Sequence, residues 1–174
     1  KVASGLDATG NLVCTTLTPS DTIRFQRGKH LATTLVVGPG NAGLWNSVTI
    51  GDDGLPIIAY EANNSLYVGQ CDDIPCTSII TSLVEPTGNG DLHAAITIGT
   101  DGLPLVTYFD STDMNLKIAH CKTVGCASVA TSIVESSGDV GAHSSIAIGT
   151  DGLGIMSYYD ATNSNLKVAH CNTT

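Results

Sequence analysis

The side chains best able to do chemistry in this chain recur on a fixed beat. Cys71, Cys121 and Cys171 stand 50 residues apart, and so do Cys76 and Cys126. His93 and His143 share that spacing, as do His120 and His170. Thiols form disulfides or hold metals, and imidazoles bind metals or move protons. Repetition argues against a reaction, because one active site does not need several copies of each group. No HExxH, paired CxxC or GxSxG occurs that would assemble a metal centre or an activated nucleophile. Paired carboxylates could serve acid–base chemistry, but Asp53, Asp101 and Asp151 each precede a glycine and mark turns. The chain reads as a non-enzyme.

Two sets of residues remain as binding candidates. Trp45 falls where His93 and His143 fall in the later copies. These three could ring a channel mouth and face a ligand. Asp110-STDMN and Asp160-ATNSN offer oxygens that could hold Ca²⁺. A turn in which Asp and Asn side chains bond their own backbone explains the same residues. No other cofactor or metal is expected.

The elements that must position these groups are short strands. The recurring segments are Ile50-GDDGLPIIAYEANNSLYVGQC, Ile98-GTDGLPLVTYFDSTDMNLKIAHC and Ile148-GTDGLGIMSYYDATNSNLKVAHC, the first two residues shorter in one loop. Within residues 93–137, alternating or β-branched runs are separated by Thr100-Asp101-Gly102, by Ser111-TDM and by the four residues between Cys121 and Cys126. That pattern predicts four antiparallel strands per unit, the blade of a β-propeller. The expected fold is all-β, one propeller-like domain over 1–174 with about three to four blades. It comprises an irregular N-terminal arm and partial blade (1–43), blades at 45–87 and 93–137, and an incomplete blade at 143–174.

The repeats resemble the blades of bacterial and archaeal extracellular propeller-like proteins that read roughly IGTDGLPxxxYYDxxxxxLKVAHC. The resemblance covers about residues 45–174 and implies the fold. Neither the WD dipeptide of WD40 blades nor the SxDxGxTW box of sialidases is present, so the functions of those groups are not implied.

Composition narrows the function classes. Sixteen Asp and Glu against seven Lys and Arg give a net charge of −9, which leaves no basic face for nucleic acid. No run of 18 apolar residues is present, so no membrane-spanning helix is expected. Six cysteines at regular spacing suit an oxidising compartment. A start at Lys1 rather than Met fits a processed product. The expected location is extracellular or at the cell surface.

The cysteines also suggest how the molecule ends. Cys71–Cys76 and Cys121–Cys126 read as in-repeat disulfides joining the third strand to the fourth. Cys171 lacks the second member of its pair. Cys14-TTLT is like Cys76-TSII and Cys126-ASVA, which makes Cys14 the partner of Cys171 and Cys14, Thr15, Thr16 and Leu17 part of a fourth strand. A rival alignment compares Asp7-ATGNLVC with Asp160-ATNSNLKVAHC and makes Cys14 a first cysteine. On the first alignment the last blade is completed by an N-terminal strand, from its own chain or from a neighbour. Arg24, Arg27 and Lys29 cluster in the arm and would steer it to an acidic neighbour. The favoured function is an extracellular structural subunit, its own partner in a head-to-tail filament built by strand donation and locked by a disulfide. The alternative is a secreted lectin-like propeller that closes as a monomer and binds glycans. A piece of a longer propeller would read much the same.

Overall fold

The computed structural model describes residues 2–6, 12–15, 36–37, 41–86 and 90–172. Two compact units divide the chain, residues 1–35 and 36–174. In the first, β1 (Val2–Leu6) and β2 (Leu12–Thr15) form an antiparallel hairpin with Cys14 opposite Ala3. The sequence likeness to Cys76-TSII had pointed to a fourth strand at Cys14. Cys14 lies in the second strand of that hairpin, and both alignments put it on a strand. Thr16, Leu17, Arg24, Arg27 and Lys29 lie outside the described residues. Of residues 16–40 in the expected arm and partial blade only Val36 and Val37 are described, and neither is in a strand.

Among its described residues the second unit carries eleven strands and no helix. The first repeat contributes β3 (Ala42–Ile50), β4 (Pro56–Ala62), β5 (Ser65–Cys71) and β6 (Ile79–Pro86). The second contributes β7 (Ala95–Ile98), β8 (Pro104–Asp110), β9 (Asn115–Cys121) and β10 (Val129–Glu135). The third contributes β11 (Val140–Ile148), β12 (Gly154–Asp160) and β13 (Asn165–His170). Each repeat is an antiparallel meander, four-stranded in the first two and three-stranded in the last among the described residues.

Turn chemistry sets the meander. Gly54, Gly102 and Gly152 have φ near +80°, and the Asp before each accepts the N–H two residues on. Asn63 and Asn64 both have positive φ, the requirement of the two-residue turn that joins β4 to β5. In the longer loops Asp110 accepts from the N–H groups of Thr112 and Asp113, and Asp160 from that of Asn163.

Consecutive sheets pack face against face. Each has a downstream face, toward the next repeat, and an upstream face, toward the preceding one. Ile57, Ala59, Leu66 and Val68 of the first sheet cluster with Ile96, Val106 and Tyr108 of the second. Leu116 of the second clusters with Val140 and Tyr158 around the third. The middle strand β8 is therefore buried on both sides, whereas β12 alternates between buried Met156 and Tyr158 and exposed Ile155 and Tyr159. Each fully buried Leu or Val contributes about 1.5–3 kcal/mol.

Candidate functional site

Two first strands, β3 and β11, and the segment just before β7 bring their equivalent rings together. Trp45 and His93 have ring centroids 3.8 Å apart, His93 and His143 4.2 Å, and Trp45 and His143 6.4 Å. All three residues have φ between 45° and 55°, and the residues two places earlier, Gly43, Asp91 and Gly141, are also left-handed. In β3 and β11 the register slips across this segment. Such a bulge re-aims a side chain, and it recurs in the first and third repeats, while His93 sits just ahead of β7. Phe109 lies 6.3 Å from His93, ring to ring. Burial first, and then the neighbouring His143, hold His93 below the usual imidazole range, with Asp91 opposing. Trp45 stays 37% exposed, so the cluster offers a half-open aromatic surface.

A second constellation joins the repeats to one another. Glu85, at the end of β6, accepts from the Tyr108 hydroxyl and the Lys117 ammonium of the next repeat. Lys117 Nζ also lies 3.3 Å from Asp110 Oδ2. Fifty residues on, Glu135 accepts from Tyr158 and Lys167, and Lys167 Nζ lies 3.9 Å from Asp160. Burial, then Glu85, raises the Tyr108 pKa, and burial, then Glu135, raises that of Tyr158. Burial works against the Lys117 charge, but Glu85 and Asp110 outweigh it and raise its pKa. Sequence reasoning missed this clasp and took Asp110 and Asp160 for turn or Ca²⁺ oxygens. Their carboxylates serve the turns and lie beside the lysine ammonium groups. Among the described residues no group of three or more His, Cys, Asp or Glu could hold a metal. The signal was available: Tyr, Asp and Lys recur together at 108/110/117 and 158/160/167, and the first copy has Tyr60, Ala62 and Tyr67.

His120 and His170 belong to the surface. His120 Nε2 lies 2.8 Å from Asp101 Oδ2, and His170 Nε2 2.9 Å from Asp151 Oδ2. Gln70 donates to Asp53 at the equivalent place in the first repeat. These pairs tie the third strand to the first hairpin turn.

The cysteines divide as their spacing implied for two pairs. Cys71–Cys76 and Cys121–Cys126 are disulfide-bonded, with Cα atoms 5.0 and 4.8 Å apart. Cys76 and Cys126 each have φ 54°, and each N–H closes the loop on a carbonyl three residues back. Cys171 is half-buried and unpaired among the described residues.

The last sheet differs from the others at its end. β5 pairs with β6 and β9 with β10, but β13 has β12 on one side and no partner on the other among the described residues. Leu166 is 78% exposed, where Leu66 and Leu116 are fully buried. No helix among the described residues is long and apolar enough to cross a membrane. The chain matches no protein-family model and no curated protein.

Proposed function

We propose that this protein is an extracellular structural subunit built of propeller-type blades, which assembles head to tail. Each molecule completes its last blade with the N-terminal segment of a neighbour. The observation that carries this reading is the outer edge of β13, unpaired among the described residues at the place where both earlier repeats have a fourth strand. An open edge is a template for another strand, and main-chain hydrogen bonds make such addition strong. The hairpin of β1 and β2 keeps a free edge on each strand within its own two-stranded sheet, so the donor is a hairpin rather than a single strand. Cys171, the equivalent of bonded Cys71 and Cys121, gives the contact a covalent lock with Cys14. Two disulfides suit an oxidising, extracellular setting.

Replacing Cys14 with Ser in native material tests the lock. Filaments that lose their disulfide ladder but keep their form support strand donation with a covalent seal. Discrete monomers in both the native and the replaced protein would end this reading. The half-exposed ring of Trp45 beside two imidazoles favours a second reading, a lectin-like module, because sugars stack on such surfaces. Glycan-array binding that vanishes on Trp45→Ala would support it, and an array blank for the native protein would exclude it.

A further inference from the structure

The imidazoles of His93 and His143 come from different repeats and still meet, with ring centroids 4.2 Å apart. Packing alone is a poor reason for two imidazoles at this place. Burial opposes the charged form of His93, and His143 beside it does so too. An apolar ring would fill the space at lower cost. What an imidazole adds is a nitrogen lone pair. His120 and His170 each pair with an aspartate, Asp101 and Asp151. His93 and His143 have no such carboxylate in contact among the described residues, and Asp91 acts on the His93 charge only from a distance. Left-handed backbone at both histidines, φ 45° and 55°, holds the two rings in place against strain.

The spacing fits a shared ion. An imidazole that binds through nitrogen at about 2.0–2.1 Å has its ring centre about 3.2 Å from the metal. Two such rings at a right angle about one ion have centres about 4.5 Å apart, and a tetrahedral angle gives about 5.2 Å. The observed 4.2 Å is nearer the first. We infer that His93 and His143 form a two-nitrogen site for a transition-metal ion, as neighbours in a square or octahedral shell, with Cu²⁺ held most tightly. Nitrogen ligands at right angles suit Cu²⁺ and Ni²⁺, and Cu²⁺ heads the divalent series in affinity. No third His, Cys, Asp or Glu joins the pair among the described residues, so water takes the remaining positions. His143 is exposed and His93 half-buried, which leaves room for the ion and its waters. Trp45 packs against His93, centroids 3.8 Å apart, and steadies that ring as outer partners of metal ligands do. Neither self-assembly nor sugar binding enters this inference.

Trp45 is the chain's one tryptophan and reports on the site directly. The test titrates the full chain, disulfides intact, at neutral pH with Cu²⁺ and with Ni²⁺, a probe that does not oxidise thiols. Both ions should quench the fluorescence saturably at one ion per chain, Cu²⁺ at the lower concentration. The electron-spin-resonance spectrum of the copper form should show coupling to two nitrogens. His143→Gln, a change at an exposed position, should weaken binding by at least the roughly tenfold that losing an outer partner costs. His93→Gln should do the same, and His120→Gln with His170→Gln should leave the titration unchanged. A circular-dichroism spectrum matching the parent's establishes that each variant folds. Quenching that does not saturate at millimolar metal, or that survives His143→Gln, overturns the site. A tighter hold on Zn²⁺ than on Cu²⁺ overturns it too, as does a copper spectrum without nitrogen coupling.

Discussion

Glu85 and Glu135 each tie one repeat to the next by polar contacts. Each accepts two hydrogen bonds from the following sheet, one of them from an ammonium. Lys117 is 15% exposed and Lys167 35%, so solvent screens the second clasp more. Glu85→Gln is expected to cost about 2 kcal/mol in urea unfolding and Glu135→Gln about 1 kcal/mol, in the range for hydrogen bonds to charged groups. Lys167, then Tyr158, holds the Glu135 carboxyl below its usual range. The unfolded chain therefore takes up that proton first, near pH 4.3. The clasp's contribution is complete above about pH 5 and lost as pH falls through the folded pKa. His93 behaves oppositely in charge but alike in direction. Its folded pKa is lowered by burial and by His143, so below about pH 6.5 the unfolded chain binds a proton that the folded ring resists. Stability should fall between pH 7.5 and 5.5, and His93→Gln should flatten that slope in thermal melts. An unchanged slope would mean that the ring cluster is open enough to solvate the imidazolium.

At the scale of the element, close backbone approach decides what the strands tolerate. Gly141 has φ +113°, and a Cβ there would stand 2.8 Å from the Leu116 Cα. Gly54 has φ +80° and open space around it. Gly141→Ala should cost about 3 kcal/mol, strain plus displaced backbone, and Gly54→Ala about 1 kcal/mol, strain alone. Equal losses in urea melts would show that β11 can shift away from β9. The strands themselves were legible in the sequence, because alternation and Asp-Gly turns act locally: Pro104–Asp110 and Asn115–Cys121 fall where the pattern put them. The ring cluster was legible only as equivalence. That Trp45, His93 and His143 touch depends on bulges that no local pattern announces. The clasp was illegible for a similar reason. Tyr108 and Lys117 meet Glu85 across 23 and 32 residues, from a different repeat, and each reads alone as an ordinary surface residue. At Cys14 two alignments compete over a few residues, and both put it on a strand, where β2 has it.

At the scale of the whole molecule, the question is what pairs with the outer edge of β13, which has no partner among the described residues. Three sheets pack in chain order through alternating apolar faces, so exposed Leu166 and Val168 leave apolar surface in water that the same repeat buries elsewhere. An open strand edge of this kind is a template for a further strand. The acidic repeats and the cationic residues Arg24, Arg27 and Lys29 would add steering that weakens with salt, so assembly should be faster at low ionic strength while its endpoint changes little. Light scattering during assembly at two salt concentrations checks this, and an endpoint that collapses in high salt would assign the contact to charge. The most direct measurement is electron microscopy of the native protein alongside reducing and non-reducing gels. The account predicts filaments of uniform width and a non-reducing ladder that collapses to the 17.8 kDa chain on reduction. Discrete particles that run as that single chain on both gels would contradict it.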